Sequence, residues 1–225
     1  MPSTSPALRG PVRYRVCVAR LGEARNLTHL GQIEALRRAV GESGLPALLD
    51  GRRKRPRLAF GPAISLGWES LAEYFDMELS SALAPEDVAA GLKKSLKDGF
   101  SVRTLRRIPS FFPSLDSTIN VASYQIEAIF PDDARTRLSQ LLARREIVVE
   151  KIKEVGVERV DARPLIVRME LAGPGRLGMV LRFGPKRTVK PEALLREWIG
   201  SVPEGALIRR DGLFSETSAG ELMTP

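Results

Sequence analysis

One cysteine and one histidine occur in the 225 residues of this chain, and that scarcity removes whole classes of chemistry. Cys17 cannot close an internal disulfide. Structural zinc sites and iron–sulfur clusters take about four protein ligands, so Cys17 and His29 cannot build one between them. In the strand-like context Val16-Cys17-Val18 the thiol reads as a buried, inert side chain. A carboxylate site for magnesium has no motif behind it, and no cofactor is expected. No apolar run approaches the roughly 18 residues needed to cross a bilayer, so no membrane partner is expected either. Met1-Pro2-Ser3-Thr4-Ser5-Pro6 lacks a charged start followed by an apolar block, does not read as a signal peptide, and leads us to expect a cytoplasmic protein.

Hydrophobic residues make up 43% and charged residues 28%, an ordinary balance for a globular protein with a core. The net charge of +8 is uneven. Residues 1–115 carry 18 Lys and Arg against 11 Asp and Glu, whereas residues 116–225 carry 17 against 16. The basic excess belongs to the first half, which points to an anionic partner such as nucleic acid or an acidic protein face.

Residues 1–11 are rich in Pro, Ser and Gly and read as a flexible arm. Val12 to Ala19 alternates and reads as a strand; Asn26 or Thr28 can cap the helix that follows, with Leu30, Ile33, Leu36 and Val40 as its apolar positions. Arg57–Ser65 and Leu71–Leu79 read as strands. Pro85 opens a second helix that stops at Asp98-Gly99, and Val102–Ile108 is a fourth strand. The order is β-α-β-β-α-β, the ferredoxin-like unit. An offset of 106 residues repeats it: Pro85 falls on Pro191, Leu92 on Trp198, Gly99 on Gly205 and Val102 on Ile208. Asn120–Phe130, Asp132–Arg145, Arg163–Leu171 and Leu177–Pro185 supply the repeat's earlier elements. The expected fold is therefore α+β, with two tandem ferredoxin-like halves at 12–115 and 116–216 and a polar tail at 217–225.

The densest positive charge is Arg52, Arg53, Lys54, Arg55 and Arg57, grouped around Pro56, with Arg37 and Arg38 on the preceding helix. Such a cluster can neutralise several phosphates. Few aromatic rings interleave with it, so base stacking is not evident. His29 falls at the head of the first helix, where the helix dipole disfavours a protonated imidazole, and it could act as a general base or bind a phosphate as a hydrogen-bond donor. Glu69, Glu73 and Asp76 read as charge balance for the basic loop. Asp161 and Arg163, two apart at a strand start, read as a local ion pair or a ligand-orienting pair. Gly173–Gly178 lies between two strands and reads as a hairpin turn rather than a phosphate cradle.

Asn26-Leu27-Thr28-His29-Leu30, Arg37-Arg38-Ala39, Gly44-Leu45-Pro46, Arg55-Pro56-Arg57-Leu58-Ala59-Phe60 and Leu66-Gly67-Trp68-Glu69-Ser70 with Glu73-Tyr74 resemble the radical-SAM-linked (radical-SAM-associated) protein family. Farther on, Tyr124-Gln125-Ile126-Glu127, Val160 to Ile166 and Lys190-Pro191-Glu192 fit the same pattern. That family is a domain of unknown function found alone or at the end of a radical-SAM protein. Two positions depart from it: Gly31 stands where an acidic residue is usual, and Gly51-Arg52-Arg53-Lys54 where Gly-Phe-Asn is usual. The resemblance implies partnership with a radical-SAM enzyme. The chain itself has no Cys-x₃-Cys-x₂-Cys motif.

The expected function is a non-catalytic adaptor working with a radical-SAM protein and binding RNA, or a ribosome-related substrate, through its basic face. Asn26, Thr28, His29, Glu69, Glu73, Asp161 and Arg163 would form a ligand or partner site. One alternative is a metal-independent endoribonuclease with His29 as general base, since CRISPR RNA-processing nucleases also use tandem ferredoxin-like lobes. Another is a purely structural protein-interaction domain.

Overall fold

The computed structural model describes residues 10–97, 99–152, 156–184 and 188–225, which divide into two compact units, 1–119 and 120–225. The expected arm lies outside the described residues except for Gly10 and Pro11, as do Asp98 and Pro185, the expected ends of a helix and a strand.

In the first unit, β1 (Val12–Arg20) leads into α1 (His29–Glu42). Thr28 caps α1, its Oγ1 accepting from the Gly31 amide at 3.1 Å. β2 (Leu58–Phe60) and β3 (Glu69–Leu79) follow. α2 (Pro85–Ser95) opens on proline, with Glu86 and Asp87 in its first turn and Lys93 and Lys94 in its last, each matching the helix dipole. β4 (Phe100–Ile108) and the short α3 (Leu115–Thr118) complete it. The strands stand in the order β4-β1-β3-β2, every pair antiparallel. Val12, Tyr14, Val16 and Val18 face α1 and α2, packing with Leu36, Val40, Phe75, Met77, Leu79, Val88 and Leu92. The buried Tyr14 hydroxyl donates to the Leu83 carbonyl and accepts from its amide, so no polar group is stranded there.

Two expectations change here. Leu30 is 72% exposed, because the buried face of α1 is Gln32, Leu36, Ala39 and Val40, roughly 120° round the helix from it. The strand expected over 57–65 is only three residues long: the Gly61 amide bonds the Tyr74 carbonyl of β3 just beyond it, and Pro62 has no amide to donate in its turn. Gly99 has a left-handed φ of +86°, and a Cβ there would lie 2.6 Å from the Leu21 carbonyl oxygen. Only glycine fits where β4 closes against the end of β1.

In the second unit the elements are β5 (Val121–Glu127), α4 (Ala134–Leu142), β6 (Val148–Ile152), β7 (Val157–Asp161), β8 (Ile166–Leu171), β9 (Arg176–Arg182), α5 (Pro191–Ile199), β10 (Leu207–Glu216) and β11 (Leu222–Met223). Four strands stand in the order β10-β5-β9-β8, again all antiparallel. Trp198 of α5 packs on Phe130 with centroids 5.2 Å apart and donates its indole N–H to the Ala134 carbonyl. Gly200, at φ +87°, ends α5. The β6–β7 hairpin was not expected from the sequence. Residues 163–165, read there as strand, form a turn of 3₁₀ helix instead. The polar tail doubles back, with Leu222 and Met223 pairing to Glu216 and Ser215. Among the described residues no helix is long and apolar enough to cross a membrane.

Candidate functional site

The basic run forms the tip of a hairpin thrown out from the edge of the first unit's sheet. Residues 46–48 lie along the end of β3, with the Leu48 amide donating to the Glu78 carbonyl and Ala47 bridging Leu79. The chain leaves the sheet, turns through 50–55, and returns to β3 as β2. Asp50 builds the turn. Its amide donates to the Arg55 carbonyl, its carbonyl accepts from Lys54, and its Oδ1 accepts from the Arg53 amide at 2.6 Å. Lys54 is the single non-glycine residue at positive φ, +49°, among the described residues. A side chain that costs strain to place is thereby held at the tip.

The cations of this run divide into two groups. Arg55 reaches Glu34 of α1 at 3.0 Å, and Arg57 reaches Glu78 at 3.2 Å. Arg52, Arg53 and Lys54 are exposed and meet no carboxylate among the described residues. Arg37 lies over the Phe60 ring, 5.8 Å from its centroid, and approaches Glu34 at 3.6 Å. Arg38 is exposed and shares the α1 face of Glu34 and Gly41; a Cβ on Gly41 would touch Pro56 at 3.7 Å. The hairpin therefore leans on α1, with Arg55 and Arg57 held by carboxylates of α1 and β3 and three cations exposed at its tip.

The expectation that Glu69, Glu73 and Asp76 balance the loop is corrected by their partners. Glu69 accepts from the Gly22 amide at 2.9 Å. Glu73 is 4% exposed and accepts from Gln32 at 2.8 Å, and Gln32 in turn accepts from Arg20 at 2.9 Å. Arg20 is fully buried and donates further to the carbonyls of Ala24, Arg25 and Leu27, fixing the turn that leads into α1. Asp76 belongs to the opposite face of the sheet. Glu34, Glu78 and Asp50 do the work assigned to the three carboxylates. The signals for them were present: Glu34 stands three and four residues before Arg37 and Arg38, and Asp50-Gly51 is a turn dipeptide.

His29 is the first residue of α1 and is half-buried, its Nδ1 enclosed without a partner among the described residues. Asn26 donates to Glu23 at 3.1 Å, and Thr28 is occupied as the cap. His29 precedes Glu34 by five residues, about 7.5 Å along the helix and about 140° round it, which puts it on another face from the hairpin. No carboxylate orients it in the described structure.

On the other face of the sheet, Arg15 grips Asp76 with two bonds, 2.8 and 2.9 Å, and Arg13 donates to the same carboxylate. Arg13 and Arg15 also donate to the carbonyls of Phe112 and Pro113, and Arg15 and Arg106 lie over the Phe112 ring. The segment after β4 is thus clipped across the sheet by arginines. Cys17 lies on this face, where burial pushes its thiol up to about 11, and burial also raises Tyr74. In the second unit, Asp161 accepts from the amides of Ile147 and Arg163 at 3.0 and 2.9 Å, and these bonds hold its carboxyl below the usual aspartate range. Its structural partners are backbone amides.

Residues 13–191 match the model of a family described as "Uncharacterized protein conserved in bacteria (DUF2344)". No curated protein matches the chain.

Proposed function

The chain belongs to this bacterial family, and on that premise we propose that it is a non-catalytic cytoplasmic adaptor that binds RNA through the edge hairpin and works with a radical-SAM enzyme. The observation that carries the RNA part is the tip itself, where Arg52, Arg53 and Lys54 project from a turn fixed by Asp50 and meet no carboxylate among the described residues, while their neighbours do. Each exposed cation placed on a phosphate releases condensed counterions, so binding of this kind is salt-dependent. The radical-SAM partner rests on the resemblance carried by Asn26 to Leu30, Arg55 to Phe60 and Leu66 to Ser70. We read each unit as a ferredoxin-like half. What supports this is the order β4-β1-β3-β2 in the first and β10-β5-β9-β8 in the second, the latter with the β6–β7 hairpin added.

Because two of the five cations are already paired, the tip has about three phosphates to offer itself to, and the slope of log affinity against log salt should be about −2 to −3. Replacing Arg52, Arg53 and Lys54 together with serine should bring it close to zero. A slope that the triple variant leaves unchanged would remove the hairpin from the interface.

A second reading, an endoribonuclease with His29 as base, is favoured by the unpartnered Nδ1 at the head of α1. His29→Ala separates the two. Cleavage of RNA by the parent protein that disappears in the variant supports the enzyme; RNA binding without cleavage in either supports the adaptor.

A further inference from the structure

We infer that the nucleic acid taken by the hairpin is base-paired RNA, held at the phosphates that line its narrow groove; this rests on the RNA reading above. Three features of the tip lead there.

The tip offers charge without rings. Residues 49–57 contain no aromatic side chain, and the next ring in the sequence, Phe60, lies under the Arg37 guanidinium and packs on Phe75 at 6.0 Å. Proteins that hold single strands stack bases on exposed aromatic faces. That contribution is missing here.

The strands behind the tip are also not free to read bases. Arg55 and Arg57 are drawn aside by Glu34 and Glu78, and the Leu48 amide and carbonyl are bonded to Glu78 and Arg57. A two-stranded ribbon that enters the roughly 12 Å major groove of B-form DNA reads base edges with side chains along its strands. This hairpin has its free polar side chains at the turn, so it can engage a groove's rim and not its floor.

The geometry of the rim then decides. The major groove of A-form RNA is deep and narrow, closed to side chains, and its lips are two facing rows of phosphates. Three cations held within one four-residue turn, 51–54, can meet both rows at once. A single strand offers one flexible row and must be ordered to fit, which costs binding energy.

The test uses the full chain and three labelled probes of one sequence: an RNA duplex of about 20 base pairs, its single strand, and the matching DNA duplex. Anisotropy titrations at fixed, moderate salt are expected to give about tenfold tighter binding to the RNA duplex than to the single strand, and several-fold tighter than to duplex DNA. In the Arg52→Ser/Arg53→Ser/Lys54→Ser variant, checked for folding by circular dichroism, that preference should vanish. Arg52→Lys/Arg53→Lys should keep most of it, since a phosphate accepts either point charge. A single strand that binds as tightly as the RNA duplex overturns the duplex assignment and leaves the RNA reading standing. Equal affinity for both duplexes overturns the groove argument. No binding to any probe overturns the RNA reading itself, and leaves an acidic protein face as the hairpin's partner.

Discussion

At the scale of single residues, the weight in the first unit falls on charges that are buried rather than on those that are exposed. Arg15 and Asp76 are 2% and 3% exposed, and Arg13 shares the same carboxylate. Removing one member of such a group leaves the other charged in a dry environment, which costs about 3–5 kcal/mol. Asp76→Asn should therefore lower the urea midpoint strongly and loosen the segment clipped by Arg13 and Arg15. A loss under about 1 kcal/mol would mean that water already reaches the pair. These pairs were illegible in the sequence for a physical reason. The alternation of β1 marks Val12, Tyr14, Val16 and Val18 as inward, and Arg13 and Arg15 then read as solvated. Their burial depends on a segment about 100 residues downstream covering the other face. Gln32 was missed likewise, because its value lies in joining Arg20 to Glu73, and its own bond to Glu73 spans 41 residues.

At the scale of elements, much was legible where the signal is local. Pro85 and Pro191 open α2 and α5, Thr28 caps α1, and Gly173 to Arg176 turns β8 into β9. The β6–β7 hairpin was not, although its strand Val157–Asp161 alternates in burial. At the offset of 106 it falls on residues 42–55, which read as a loop, so the expectation of a repeat left no place for strands there. Its base is fixed by Asp161 accepting from the amides of Ile147 and Arg163, beside the Ala162–Ile147 backbone bond. The folded carboxyl has the lower pKa, so this stabilisation is complete above the unfolded aspartate's titration and is lost as pH falls through the depressed folded value. The amide resonances of Ile147 and Arg163 should move together on acidification, with a midpoint below that of an ordinary aspartate. A midpoint at or above the ordinary value would show that Asp161 does not hold the hairpin.

At the scale of the whole molecule, the basic excess of the first half was legible from residue counts alone, and the structure divides its densest run. Of the seven arginines and lysines singled out at 37, 38 and 52–57, local carboxylates engage Arg37, Arg55 and Arg57, leaving Arg38 and the tip. No counting of residues could make that division, because Glu34 and Glu78 meet the loop only after α1 and β3 are formed. The proposed adaptor role joins this tip to a radical-SAM partner. Its most direct test is affinity capture of the tagged protein from its own cells, as parent and as the triple serine variant, with RNA and proteins identified in low-salt and high-salt eluates. The expected result is RNA released from the parent by high salt and absent from the variant, with a radical-SAM protein retained by both. RNA recovered equally with the variant, or no RNA and no radical-SAM protein with either, would contradict it.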